Sequence, residues 1–141
     1  MIIMSVDYGD ARTGIAVCDR LEYLAHPVEV INQTYEPKLI ERICQLISVH
    51  KPELVVVGLP KNMDSSCGSR AERCENFANL IEGKSGVKTV TWDERLTTVE
   101  AHNYLSSNNV RGKKRKEIVD AVAAVIILQD YLDFRRNSNA K

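Results

Sequence analysis

The sequence predicts an α/β fold: a mixed five-stranded sheet, in which an antiparallel meander of three strands is followed by parallel strands, flanked by helices. Three observations predict it. Two short apolar runs near the start are joined by a tight polar turn. After residue 36, helical periodicity alternates with strand-like runs. Within 53–58, Leu54-Val55-Val56-Val57 is an uninterrupted, mostly β-branched apolar run, as in a strand buried on both faces of a sheet.

The first strand covers residues 2–7 and the second 13–18, with Tyr8-Gly9-Asp10-Ala11-Arg12 between them. This is a β-hairpin signal, and Gly9 is available for the positive φ that a tight turn often needs. Residues 28–31 make a weaker third strand. A helix begins at Pro37, places Leu39, Ile40, Ile43, Leu46 and Ile47 on one side, and is stopped by Lys51-Pro52. The strand at 53–58 comes next. Ser69-Arg70-Ala71-Glu72 is a capping box, opening a helix through Phe77, Leu80 and Ile81 that ends near Gly83. Residues 87–92 are the fifth strand, with Asp93-Glu94 at its end. Thr97-Thr98-Val99-Glu100 is a second capping box, for a short helix through Tyr104 and Leu105. The last helix runs from about Lys116 to Phe134, and its middle, residues 121–128, is apolar all round and belongs against the sheet.

With 141 residues and no repeat or linker, the chain reads as a single domain over 1–141, with a basic loop at about 108–116 and a frayed tail from about 135. A chain of this length buries roughly 70% of its unfolded surface, so it folds without a disulfide or structural metal. Nineteen basic side chains balance nineteen acidic ones, so net charge neither favours nor excludes a polyanionic partner. The opening residues lack a basic leader, and no apolar run approaches the ~20 residues that span a bilayer, so the expectation is a soluble cytoplasmic protein without a membrane partner. Cys18, Cys44, Cys67 and Cys74 form no C-x-x-C pair and have no histidine at zinc-finger spacing, so they read as reduced thiols, Cys18 and Cys44 as core. His26, His50 and His102 show no ligand or triad spacing.

Three acidic positions carry the candidate chemistry. Asp7 ends the first strand, where an aspartate is ordinarily a turn former. Asp93 and Glu94 end a late strand, where a carboxylate is unremarkable. Asp120 sits in the most apolar helix, where a carboxylate is costly without a cation or good donors, unless it faces solvent in the first turns. Together they say more. In a mixed sheet these three places can converge on one edge, where like charges need a cation between them. Hard oxygen donors suit Mg²⁺ or Mn²⁺, and two such ions can cleave a phosphodiester. The small Ala123 and Ala124 would let the helix bearing Asp120 approach the sheet.

Other features point to phosphate. The loop 58–66 has Gly58 and Pro60 for a rigid turn, with Lys61, Asn62, Ser65 and Ser66 before a helix N-terminus, and reads as either a phosphate cradle or a solvated loop. Arg111-Gly112-Lys113-Lys114-Arg115-Lys116 is the densest basic run, and either tracks phosphates or is solvated. Arg12 contacts a phosphate or a neighbouring carboxylate. Tyr8 and Tyr104 are candidates for base stacking, with packing the simpler role, and Trp92 is core.

These motifs resemble those of the YqgF/RuvX family of nucleases. Asp7-Tyr8-Gly9-Asp10-Ala11-Arg12-Thr13-Gly14-Ile15-Ala16 is similar to its D-x-G-x-x-R-x-G-x-A opening, Gly58-Leu59-Pro60-Lys61-Asn62-Met63-Asp64 to its G-L-P-x-N-x-D loop, Asp93-Glu94-Arg95-Leu96-Thr97-Thr98 to D-E-R-x-T-T, and Asp120-Ala121-Val122-Ala123-Ala124 to D-x-x-A-A. The ordered set spans residues 2–133. Ser65 and Ser69 depart from the family's usual glycine and proline. The resemblance implies a ribonuclease-H-like fold and a metal-dependent nuclease that matures the 5′ end of the 16S rRNA precursor or resolves branched DNA junctions, the latter as a homodimer. It implies catalytic acids at Asp7, Asp120 and Glu94, with Asp93 as the alternative to Glu94; the candidate nucleic-acid contacts read from the residues are Arg12, Lys61, Asn62, Arg95, Arg111, Lys113, Lys114, Arg115 and Lys116. Two other classes compete: an actin-like phosphotransferase, for which the chain lacks a second domain, and a non-catalytic RNA-binding assembly factor.

Overall fold

The computed structural model describes residues 1–9, 11–59, 68–93 and 112–139. In chain order these form β1 (Ile3–Asp7), β2 (Thr13–Cys18), β3 (Ala25–Ile31), α1 (Glu36–His50), β4 (Leu54–Leu59), α2 (Gly68–Ser85), β5 (Lys88–Asp93) and α3 (Gly112–Asn139). The short helix expected around 97–105 lies outside the described residues.

One sheet joins the strands in the order β3-β2-β1-β4-β5. The β1–β2 and β2–β3 pairs are antiparallel, and the β1–β4 and β4–β5 pairs are parallel. The mixed sheet expected from the meander and the alternating units is the one found. β1 is central, and Ile3, Met4, Ser5 and Val6 are all fully buried, which explains a run that is apolar on both parities.

Successive strand residues face opposite sides, so each strand feeds two cores. On one side Met4, Val6, Ile15, Val55 and Val57 pack with Leu39, Ile40 and Ile43 of α1 and Phe77 and Ile81 of α2. On the other, Ile3, Ala16, Cys18, Leu54 and Val56 pack with Ala124, Ile127, Leu128 and Leu132 of α3. Each large aliphatic side chain buried this way contributes roughly 1.5–3 kcal/mol.

The element ends differ from the expectations in instructive ways. β3 begins three residues earlier than expected and contains Pro27, which is tolerated because β3 is an edge strand. α1 ends at Lys51, whose φ of 53° is left-handed and whose N–H bonds the Ile47 carbonyl at 2.8 Å. α2 begins at Gly68, before the expected capping serine, and runs past Gly83 to Ser85. The stop is Gly86, with φ 75° and its N–H on the Glu82 carbonyl at 2.9 Å.

α3 starts at Gly112 rather than 116 and continues to Asn139 rather than fraying at 135. The basic run therefore opens a helix instead of forming a loop. The last turns are held by the β2–β3 turn: Arg135 Nε donates to Glu22 Oε1 at 3.0 Å, and an Arg136 N–H to the Glu22 carbonyl at 3.1 Å. Gly9 is also corrected. Its φ lies outside the left-handed region, and it is glycine because a Cβ there would collide with the Arg12 carbonyl.

Cys18, Cys44 and Cys74 are free thiols. Burial pushes the Cys18 and Cys44 thiols up, which keeps them protonated and inert.

Candidate active site at the sheet edge

Because β1, β4 and β5 are parallel, their C-terminal ends share one edge of the sheet. Asp7 ends β1 and Asp93 ends β5. Asp7 lies one residue past the Val6–Val57 pair, and Asp93 is in register with Leu59. The ends of β1 and β5 are thus two strand spacings apart, about 9–10 Å. On its other side Asp7 pairs with Gly14 of β2. The β2 pairing holds the backbone at Asp7, and the β4 pairing holds it up to Val6.

α3 carries position 120 toward the same edge. The buried Ser5 hydroxyl donates to the Ala124 carbonyl at 2.7 Å, which sets the height of the helix on the sheet. Asp7 is two strand residues beyond Ser5, about 6.6 Å along β1. Asp120 is four helix residues before Ala124, about 6 Å along α3. Both steps lead the same way, because the far end of α3 meets the opposite edge: Gln129 bonds the Ala25 N–H at 3.2 Å and the Tyr23 carbonyl at 3.0 Å. Positions 7 and 120 therefore stand at one level. Position 120 lies in the third turn of α3, beyond the first turn where the macrodipole stabilises a negative charge most.

The helices on the other face start at this edge too, since α1 follows β3 and α2 follows β4. Tyr8, next to Asp7, is where they meet. Its ring stacks on Phe77 of α2 with centroids 4.0 Å apart and planes 2° from parallel. Its hydroxyl donates to Glu36 Oε2 of α1 at 3.0 Å and accepts from an Arg73 N–H of α2 at 3.3 Å. The Arg73 guanidinium also lies 5.7 Å from the ring centroid. Burial first, and then the Glu36 carboxylate, push the Tyr8 phenol up despite Arg73, so it stays protonated and able to donate. Tyr8 is thus packed and bridged rather than offered to a base.

Arg12 lies in the β1–β2 turn at the same edge, half-buried. Trp92, paired with Gly58, is half-buried rather than fully core, packed against the α3-side cluster, edge-on to Tyr131 at 5.5 Å and tilted against Phe134 at 5.3 Å. Among the described residues, Trp92 Nε1 and the Thr13 hydroxyl are buried without a hydrogen-bond partner.

Lys113, Lys114, Arg115 and Lys116 occupy the opening turns of α3, at the end that points to this edge. Glu94, Lys61, Asn62, Arg95 and Arg111 lie outside the described residues, as does most of the 58–66 loop. Among the described residues no group of three His, Cys, Asp or Glu side chains is close enough to hold a metal. The positions brought to one edge offer carboxylates only, a donor chemistry that fits a hard divalent cation and not a thiol- or imidazole-seeking one. Among the described residues no helix is long and apolar enough to cross a membrane.

Two features of the site escaped the sequence. Ser5 carried a signal, as the lone polar residue inside an apolar run. The Tyr8–Glu36–Arg73 bridge carried none, because its members are 28 and 65 residues apart.

Comparison with known proteins adds to this geometry. Residues 1–134 match the family model RuvX, described as Holliday junction resolvase. The chain is 44% identical over 135 residues to a protein of Halothermothrix orenii named "Putative pre-16S rRNA nuclease", covering 96% of each chain. It is 38% identical over 143 residues to one of the same name from Agathobacter rectalis, covering 99% of this chain and 100% of the relative. Among solved structures, it resembles Thermus thermophilus RuvC in complex with a Holliday junction, with TM-score 0.62, 15% identity and 98% and 97% of the two chains covered. The fowlpox virus Holliday junction resolvase aligns with TM-score 0.57 and 13% identity over 95% and 99%. At those identities the structures speak for the ribonuclease-H-like fold alone. With a family match over nearly its whole length and close relatives that agree, the chain belongs to the RuvX family.

Proposed function

We propose that this protein is a cytoplasmic, divalent-metal-dependent nuclease that hydrolyses phosphodiester bonds in structured RNA, at the 5′ end of the 16S rRNA precursor. The observation that carries the reading is the common level of positions 7 and 120 on either side of the Ser5–Ala124 bond. Relatives at 38% and 44% identity named for pre-16S rRNA support the substrate class.

The carboxylates of Asp7, Glu94 and Asp120 would hold Mg²⁺ or Mn²⁺, two ions in all. When bound, such ions supply an activated water and neutralise the leaving oxygen. Glu94 is favoured over Asp93 by parity. Val90 and Trp92 pack on the α3 side of the sheet, as Ile3 does, and Glu94 shares their even numbering. Asp7, at the end of the central strand, anchors the set. Phosphates of the strand being cut are gripped by Arg12, Lys61, Asn62, Arg95, Arg111, Lys113, Lys114, Arg115 and Lys116. Cations in the opening turn of a helix oppose the macrodipole, and α3 has no acid there to offset them. A phosphate partner accounts for that otherwise unfavourable placement.

The test is Asp7→Asn. Cleavage of a 5′-extended 16S precursor in Mg²⁺ or Mn²⁺ is expected to disappear with the melting temperature unchanged. Undiminished cutting by that variant would remove the hypothesis.

The family description favours a second reading, resolution of four-way DNA junctions. Two strands must then be cut, which calls for a homodimer. Parallel assays on the RNA and on a synthetic four-way junction, with the mass of the active species measured, separate the two readings.

A further inference from the structure

We propose that Tyr8 is a positioning residue for the metal site, acting through the Asp7 carboxylate from the opposite face of the sheet. The inference rests on the metal-dependent reading above and deepens it.

Adjacent residues of a strand project to opposite faces. Ile3 and Ser5 face α3, and Asp7 has their parity, while Met4, Val6 and Tyr8 belong to the core under α1 and α2. Whatever fixes Tyr8 therefore fixes the peptide from which Asp7 projects. At the end of β1 the pairing with β2 stops at Asp7–Gly14, so the strand ladder no longer holds residue 8. Side-chain contacts take over. The Phe77 stack sets how deep the ring sits, and the bonds to Glu36 and Arg73 fix the hydroxyl between the opening turns of two helices. Gly9 then lets the chain turn back tightly against the Arg12 carbonyl. A metal ligand must be held within about 0.5 Å of its productive position, so a tether of this kind matters at residue 8 more than in mid-strand. A core tyrosine needs some partner for its hydroxyl, and a single backbone carbonyl would serve. The hydroxyl between a carboxylate of α1 and a guanidinium of α2 is what the positioning role adds.

The experiment compares the full-length wild type with Tyr8→Phe, Tyr8→Leu, Arg73→Ala and Arg73→Lys. Mn²⁺ binding is titrated calorimetrically without nucleic acid, and kcat and KM are measured on a 5′-extended precursor RNA at several Mn²⁺ concentrations. Melting temperatures are recorded alongside. Tyr8→Phe keeps the stack and removes the bridge, so the Mn²⁺ half-saturation point is expected to rise about 3- to 10-fold. kcat at limiting metal should fall in proportion while KM for RNA stays put. Arg73→Ala should follow Tyr8→Phe, and Arg73→Lys should recover part of the deficit. Should Tyr8→Leu fail to fold, Tyr8→Phe and the Arg73 pair still decide the matter. Variants that melt earlier but bind Mn²⁺ within twofold of wild type would show a purely structural tyrosine and overturn the inference alone. A wild type that binds no Mn²⁺ would take the metal-dependent reading down with it.

Discussion

The Ser5 hydroxyl and the Ala124 carbonyl, 119 residues apart in the chain, meet at 2.7 Å in a fully buried contact between the central strand and the last helix. Neither residue is chemically conspicuous. Their bond sets the height at which α3 lies on the sheet, and with it the level of Asp120 relative to Asp7.

Ser5→Ala removes the donor, while the carbonyl keeps its place in a helix. A loss of about 1 kcal/mol is expected, seen as a shift in the urea midpoint with unchanged slope. Ala124→Leu should do more. Overpacking costs roughly 1–3 kcal/mol and lifts the helix from the sheet. Cleavage should fall more than stability does. A well-folded Ala124→Leu protein with full activity would mean that the height of α3 is irrelevant to the reaction.

Asp93 and Glu94 are neighbouring acids that mutation can tell apart. Glu94→Gln is expected to reduce kcat by at least 100-fold, whereas Asp93→Asn should stay within about 10-fold of wild type. Single-turnover cleavage rates at saturating Mn²⁺ are the measurement. The reverse order would assign the ligand to Asp93.

The Tyr8–Phe77 stack is also a stability element. Phe77 is completely buried at the junction of α2, β1 and β4, so Phe77→Ala should cost about 3–5 kcal/mol by denaturant unfolding. A cost below 1 kcal/mol would contradict the packing described here.

Lys113, Lys114, Arg115 and Lys116 oppose the dipole of the helix they open. Replacing Lys113 and Lys114 with Gln should leave the melting temperature equal or slightly higher, while weakening RNA binding. The slope of log affinity against log salt should fall by about 1 for each phosphate no longer neutralised, read from filter binding or anisotropy in EDTA. Unaltered affinity and slope would return the run to the status of solvated surface.

Acid stability is set in part by Glu29 and Glu22. The Arg42 fork, with bonds of 2.6 and 2.9 Å, holds the Glu29 carboxyl below its ordinary value of 4.5. Burial alone would raise Glu22, but bonds from Arg135 and the N-terminal amine outweigh it and leave that carboxyl lowered too. A carboxyl lowered on folding stabilises fully above its unfolded pKa, and the contribution disappears as pH drops through the folded value. Glu29→Gln and Glu22→Gln should therefore destabilise at pH 7 and converge on wild type as pH falls below the ordinary carboxylate range, in melting curves across that range.

How much of this was legible in the sequence differs from element to element. The β1–β2 hairpin and the doubly buried β4 were readable because alternation and β-branched runs report burial directly. The boundaries of α2 and α3 were not. Gly83 and Gly86 look alike in sequence, and only the backbone shows which one takes the left-handed turn. Likewise Arg135 and Arg136 resemble a fraying tail until Glu22, more than 110 residues away, takes hold of them.

The sequence by itself determined the kinds of element, their order, and that three acids would lie at strand ends and in an apolar helix. Those are local properties, written in periodicity and in the expense of burying charge. Tertiary structure alone decided that positions 7 and 120 stand at one level and that Tyr8 ties two helices to the end of β1. Such relations depend on distances between residues far apart in the chain, and no short window of sequence encodes a distance.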